Sequence, residues 1–451
     1  RDAMQNLCIQ VTDNVMKILL ISPVINSDNK NLSKFLIPPL ALYRIKGMTP
    51  IQHQVRIIWG EENVNFDEEC DLVGISCMTA NSPRAYKIAQ EFRKRRRTVV
   101  LGGIHPTVMS DEALQYADSV IIGEAEVVWK ELINDFENKC LKKKYQCFNS
   151  ELDDYIPIDF KSMLAKKNNS LVPIISTRGC PYNCDFCSTA NIYGSNVRHV
   201  PISEIIRYIK DSKAKNFVFL DDNIIGDPIY AKELFKALIP LKIKWYGGVS
   251  IFLLIKNIEL LRLAKMSGCT VLFVGLESIS DLQLKSLSKQ FNSINQVEDA
   301  LKKIKKVGIL IHAAIIFGFD QDNKQTFSQT VKFLQKNSVC SVSFNILTPY
   351  PGTKIYQELK RKNRLLTTNW RFYDNHTVVF NPCNIKPYEL QMGAILADKK
   401  FYSFVSIVKR FFSNLNHPLI FLALNLAHRK YAKEDGARVK KIKHLSIAYG
   451  K

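Results

Sequence analysis

Short apolar runs alternate with amphipathic stretches along most of the chain, and the runs read as buried strands. KILLIS (17–22), VRIIW (55–59), DLVGISC (71–77), TVVLGG (98–103) and SVIIGE (119–124) are close to continuous in apolar residues, as strands covered on both faces of a parallel sheet are. Stretches 82–93, 111–116 and 126–136 carry a helical period instead. Five such β/α units over 16–137 predict a flavodoxin-like, doubly wound α/β domain, which takes ligands beyond the carboxyl ends of its strands. The loops at those ends are small and polar: SCMTA (76–80), GGIHP (102–106) and GEAE (123–126). Paired glycines after a strand, Gly102 and Gly103, let a backbone approach a ligand closely.

Residues 138–170 read as a polar, Lys-rich linker with an acidic patch at 151–154. Beyond it, strand-like runs recur at 171–176, 216–220, 243–249, 271–276, 310–316 and 342–347, with helices between them. These six β/α units, over 171–359, fall short of the eight of a closed barrel. Their ends again carry distinctive residues: Asp221, Asp222 and Asn223; Glu277 and Ser278; Gly318, Phe319 and Asp320; and Thr348 through Thr353. Glu277 closes an apolar strand, where an unpaired carboxylate is costly to bury. Gly318 equally suits a turn, and Cys269 and His312 read as core residues. From 360 to 451 the alternation stops, giving an aromatic, polar segment at 369–382 and helical patterns at 388–412 and 418–432. Residues 1–15 read as an extension without a role.

Composition adds bounds. A chain of 451 residues with 46% apolar content needs two or three domains. No run of eighteen apolar residues predicts a membrane-spanning helix, and the start lacks the pattern of a signal peptide. Eleven Cys in this length do not make a disulfide scaffold and fit a reducing cytoplasm. The formal charge of +21 admits nucleic acid or an anionic membrane as a partner, but the Lys residues are widely spread and nucleic acid is not expected. From Lys409 onward the only acids are Glu434 and Asp435. That leaves a solvated helix face or a membrane-surface patch.

The chemistry concentrates in STRGCPYNCDFCS (176–188). Cys180, Cys184 and Cys187 stand in a C-x3-C-x2-C spacing directly after an apolar run. Thiolates suit iron–sulfur clusters, and three of them cap three corners of a four-iron cube, leaving one iron for a ligand that is not protein. A structural zinc would need a fourth ligand, yet Cys269, Cys340 and Cys383 stand alone and no His pair is near. A redox pair of Cys184 and Cys187 leaves Cys180 unexplained.

This loop, with Phe186 before its last Cys, resembles the cluster loop of the radical S-adenosylmethionine (SAM) enzymes, and the resemblance runs from Met16 to about Pro382. It implies an open partial (β/α)6 barrel and a [4Fe-4S] cluster on Cys180, Cys184 and Cys187. SAM would chelate the open iron and be cleaved to a 5′-deoxyadenosyl radical, with Phe186, Glu277, Ser278 and Gly318 as contacts. The first domain resembles the cobalamin-binding domain fused to many of these enzymes. The residues carried over are Ser76, Thr79, Gly102, Gly103, His105, Gly123 and Glu124. The cobalt-ligating His of D-x-H-x-x-G is missing from SPVINSD (22–28). His105 is therefore expected along the cofactor's nucleotide side chain and not on cobalt.

The segment 369–382 resembles the extension of a cobalamin-dependent subgroup that methylates polycyclic lipids or tetrapyrroles. Together these resemblances imply a methyltransferase acting on an unactivated carbon of a small-molecule or lipid substrate, with reduced flavodoxin or ferredoxin as electron donor. Two alternatives stay open: a cobalamin-dependent radical SAM cyclase or oxidoreductase, and a radical SAM tRNA methylthiotransferase. The latter needs three more cluster Cys in the first domain, where Cys70 and Cys77 lack a third partner. A cobalamin sensor without catalysis would not need the Cys loop.

Overall fold

The computed structural model describes residues 15–24, 37–60, 64–148, 151–152, 158–165, 171–287 and 293–446. The expectations for 1–14, for 25–28 of the loop after the first strand and for 153–154 lie outside the described residues. The first sheet is built from β1 (Lys17–Ser22), β2 (Gln54–Trp59), β3 (Leu72–Ser76), β4 (Thr98–Gly102), β5 (Ser119–Gly123) and β6 (Lys144–Cys147). All are parallel, in the order β2-β1-β3-β4-β5-β6. The continuous apolar runs follow from helices on both faces. In β1, Leu19 and Ile21 join one core and Ile18 and Leu20 the other.

Three local expectations need correction. The linker contains a sixth strand, β6, whose polar sequence hides it because it is an edge. Only Tyr145 of that strand is fully buried, and its hydroxyl donates to Asp135 at 2.8 Å. GGIHP is not all loop, since Ile104–Val108 forms a short helix ahead of Ser110–Leu114. The pattern at 388–412 is two helices, Pro387–Phe401 and Phe404–Phe411, parted where the Ser403 hydroxyl accepts from the Ser406 N–H.

The second sheet follows β7 (Leu171–Ile174), the short antiparallel ribbon of β8 (Thr177–Arg178) and β9 (Arg198–His199), then β10 (Asn216–Phe219), β11 (Lys244–Ser250), β12 (Cys269–Glu277), β13 (Leu310–Phe317) and β14 (Ser341–Ile346). Its order, β7-β10-β11-β12-β13-β14, is sequential and entirely parallel. It is an open six-stranded half-barrel.

The C-terminal extension closes the β14 side. The Tyr402 phenol donates to the Val342 carbonyl at 2.7 Å and accepts its N–H at 2.8 Å, satisfying part of the edge. Arg410 is buried and donates to the carbonyls of Val339, Cys340 and Phe401 and to Asn425. Burial lowers its pKa to about 10. No helix among the described residues is long and apolar enough to cross a membrane.

Candidate active site

The Cys loop leaves the second sheet between β8 and the helix Thr189–Tyr193 and is braced at both ends by the end of β10. Asp221 is buried and accepts from the N–H and hydroxyl of Ser176 and of Thr177, before the loop. Burial lifts its carboxyl to about 6 against those hydrogen bonds. Asp222 accepts from the Gly179 N–H at 3.3 Å and the Thr189 hydroxyl at 2.9 Å, spanning the loop itself. Gly179 has φ 94°, and a Cβ there would meet the Asn196 carbonyl at 2.3 Å, so only Gly fits.

Cys180, Cys184 and Cys187 are all partly exposed. Burial raises the Cys180 thiol, with the Tyr182 N–H and the Asn223 amide acting against it. Burial and then the two neighbouring cysteines push Cys184 up to about 12. Among the described residues no three His, Cys, Asp or Glu side chains are drawn to the spacing of a single ion's ligands. The corners of a cube stand farther apart than that. The Asn223 side chain is fully buried, and its amide nitrogen has no protein partner although it bears on Cys180. An orphaned donor beside a thiol suits a sulfur-rich anionic cluster.

Neighbouring strand ends enclose this loop. Phe319, after β13, meets the Phe186 ring edge-on with centroids 6.1 Å apart. Ile355 donates its N–H to the Asp185 carbonyl at 3.0 Å, and Lys354 pairs with the Asp185 carboxylate at 3.2 Å. Gly318 (φ 111°) and Phe319 both donate N–H groups to Asp322. Asp320 is held by Arg364 of the extension. Glu277 ends β12 at a bulge with φ 60°, a conformation L-residues seldom adopt. A Cβ at Gly275 would stand 2.5 Å from the Glu277 carboxylate, so the neighbouring glycine makes room for it. Burial raises Glu277 to about 7, and its charge in turn bears on Cys184. The Ser278 hydroxyl accepts from the Ser280 N–H at 3.1 Å.

On the first domain, Ser76 and Gly102 sit at adjacent strand ends, partly exposed. Gly103 (φ 99°) and Gly123 (φ 86°) are explained by protein neighbours. A Cβ on the former would meet the Cys77 carbonyl at 2.7 Å, and on the latter the Cys147 carbonyl at 1.9 Å. His105, expected against a cofactor side chain, has no exposed surface. Its Nδ1 lies 3.3 Å from the Thr79 hydroxyl and its Nε2 3.2 Å from Glu112. Glu112 also accepts from Tyr86 and from the Trp370 indole of the extension. Burial works to raise Glu112, but the three donors outweigh it and leave its pKa below the ordinary value. Cys70 and Cys77 flank β3 at opposite ends, about 20 Å apart at strand rise, so they do not share a cluster.

The two sets of strand ends face each other, and charge holds them there. Glu124, after β5, is buried between Arg178 (2.9 Å) and Arg198 (2.6 Å), which flank the Cys loop. Glu126 pairs with Arg178 and with Arg44. Burial opposes its ionisation, yet the two guanidinium groups hold it at about 2. A Cβ on Gly352, after β14, would touch Val108 of the first domain at 3.0 Å. Arg178, Arg198, Glu126 and Trp370 join this site without having been expected in it, and Glu124, expected as a ligand contact, is held by the two arginines. The only local hint was Arg178's position two residues before Cys180.

Comparison with known proteins matches residues 174–334 to the radical SAM superfamily and residues 61–133 to the B12 binding domain. The chain is 34% identical to the bacteriochlorophyllide d C-12(1)-methyltransferase of Chlorobaculum tepidum, over 75% of this chain and 76% of that one. It is 30% identical to the C-8(2)-methyltransferase of the same organism, over 87% and 91%. The hopanoid C-2 methylase of Rhodopseudomonas palustris is 26% identical over 73% and 66%. Among solved structures, the radical SAM methyltransferase TsrM from Kitasatospora setae, with cobalamin and a [4Fe-4S] cluster bound, superposes with a TM-score of 0.64 at 15% identity. That match covers 77% of this chain and 78% of that one.

Proposed function

The chain belongs to the cobalamin-dependent radical SAM methyltransferases, and on that footing we propose which of its residues serve the reaction and what it methylates. Such an enzyme methylates an unactivated carbon with a [4Fe-4S] cluster, SAM and cobalamin. When bound, these groups supply the one-electron chemistry and the methyl group, while the protein positions and shields them. Cys180, Cys184 and Cys187 would hold the cluster, with the Asn223 amide donating to one of its sulfurs. Asp221 and Asp222 keep the loop in place. Phe186 and Phe319 form an apolar wall beside it, and with Ser278 and Gly318 they frame the SAM site. The Glu277 carboxylate accepts from a SAM hydroxyl or ammonium. Ser76, Thr79, Gly102, Gly103 and Gly123 shape the cobalamin face. Glu124 acts there through Arg178 and Arg198, and His105 through Glu112.

The observation that carries this reading is the apposition of both sets of strand ends, pinned by Glu124 and Glu126 against the arginines beside the Cys loop. A substrate between them would meet both cofactors. We place it in the class of apolar polycyclic small molecules or lipids, in keeping with the relatives and with Met78 and Leu220, which expose apolar surface at strand ends. Reduced flavodoxin or ferredoxin would supply electrons. An acidic partner of that kind suits a chain of net charge +21. Peripheral attachment to a membrane belongs to this reading, because such a substrate has to be collected from a bilayer.

The test is anaerobic reconstitution with iron, sulfide and cobalamin, followed by SAM carrying a labelled methyl group and a panel of chlorophyllides and hopanoids. The expected result is 5′-deoxyadenosine together with label in one substrate class. A protein that forms its cluster and cleaves SAM but binds no cobalamin would overturn the assignment of the first domain's residues.

A further inference from the structure

The last two helices, Phe404–Phe411 and Pro418–Ser446, form a hairpin whose inner side is well packed. Ile407 and Phe421 are buried against Val271, Leu310 and Cys340, near the starts of β12, β13 and β14. Arg410 bonds Asn425 across the hairpin, and both reach the Cys340 carbonyl. The outer side is the reverse of a soluble surface. Phe404, Val405, Phe412, Leu415, Leu419 and Leu426 are each more than half exposed. Their spacing places Phe404 and Val405 on the outer arc of one helix, and Leu419 and Leu426 on the outer arc of the other. Large apolar side chains exposed together on one hairpin mark an interaction surface.

The charge around it selects the occupant. No carboxylate occurs between Phe401 and Lys433. Lys409, Lys430 and Lys433 are exposed, and the last two continue the Leu419–Leu426 stripe on the same helical face. A second copy of this chain would bring lysines against lysines with no acid to meet them. An anionic lipid surface offers acyl chains to the ridge and headgroup charge to the lysines. We infer that the hairpin docks this protein on an anionic bilayer, its apolar ridge entering the headgroup–acyl boundary. The hairpin covers the starts of β12, β13 and β14, so docking leaves the Cys loop, after β7, at the other end of this parallel sheet. This names the surface behind the peripheral attachment in the proposed function and rests on that reading for its purpose alone.

The experiment is vesicle flotation of the full reconstituted chain with equimolar phosphatidylcholine and phosphatidylglycerol, and with phosphatidylcholine alone. The wild type should bind the anionic vesicles and release as salt rises, since attraction of exposed charge is screened within about 10 Å at 0.1 M. A Phe412→Ser/Leu419→Ser variant should bind at least about tenfold more weakly, and Lys430→Glu/Lys433→Glu similarly, at about 1 kcal/mol per surface charge. Both variants should keep wild-type iron content and SAM cleavage without vesicles, which separates loss of docking from failure of the functional reading. Equal binding by wild type and both variants, or none by the wild type at low salt, overturns the inference. So does a wild-type dimer that Phe412→Ser/Leu419→Ser converts to monomer, because the ridge would then be a self-interface.

Discussion

Glu277 combines an uncommon backbone conformation, a bulge and a carboxyl that burial lifts to about 7 from 4.5. It is protonated below that value and charged above it. As a SAM contact it should bind more tightly as pH rises through about 7. The free protein pays the opposite sign, because between 4.5 and 7 the native state holds a proton that the unfolded state has released, and stability falls as pH rises. Glu277→Gln should flatten the SAM affinity profile and weaken binding roughly tenfold, the scale of one charge-assisted hydrogen bond. Anaerobic calorimetry with SAM checks both. A flat wild-type profile with unchanged affinity in the variant would leave Glu277 as a structural residue. The cysteines make a separate prediction. Wild type should carry about four irons per chain, and replacement of Cys180, Cys184 and Cys187 by Ala should remove them, as iron analysis and the visible spectrum would report. A triple variant that kept its iron would remove the cluster assignment.

At the scale of elements, the strands were legible because burial on both faces leaves an apolar run that needs no partner to be recognised. β6 was not, since this edge strand buries one residue of its four and reads as linker. The first turn at Ile104–Val108 was hidden by His105 and Pro106, residues that also occur in loops. The interdomain ion cluster was illegible for another reason. Glu124 pairs with Arg178 and Arg198 at separations of 54 and 74 residues, and no local period records such a pairing. Glu124 enters as a ligand contact only through the resemblance of the Gly123–Glu124 pair to a cobalamin-domain loop. Its observed role predicts a stability effect. Glu124→Gln removes the carboxylate that Arg178 and Arg198 share and leaves Arg178 to Glu126, which costs about 3–5 kcal/mol for a broken buried pair. Thermal denaturation should show this as an early loss of one domain. A variant as stable as wild type would mean that water replaces the carboxylate at no cost.

Across the whole molecule, three parts meet at one buried knot. His105 and Glu112 come from the first domain, Trp370 comes from the extension, and the extension in turn seals the half-barrel through Tyr402 and Arg410. The His105 ring lies edge-on to Trp370 at 5.4 Å, and each of its nitrogens already faces a partner. Reaching a cobalt ion would require it to leave Thr79 and Glu112 together and to take from the Glu112 carboxylate one of its three donors. The loop after β1 carries no His in its sequence, so no imidazole is offered where a lower ligand normally enters. Bound cob(II)alamin should therefore be base-off, with no nitrogen superhyperfine splitting in its electron paramagnetic resonance spectrum. His105→Ala should lower thermal stability by loosening Trp370, at roughly 1.5–3 kcal/mol for one lost hydrogen bond to a carboxylate, while leaving that spectrum unchanged. Splitting present in the wild type and lost in His105→Ala would show instead that the ring turns out of its knot to ligate cobalt.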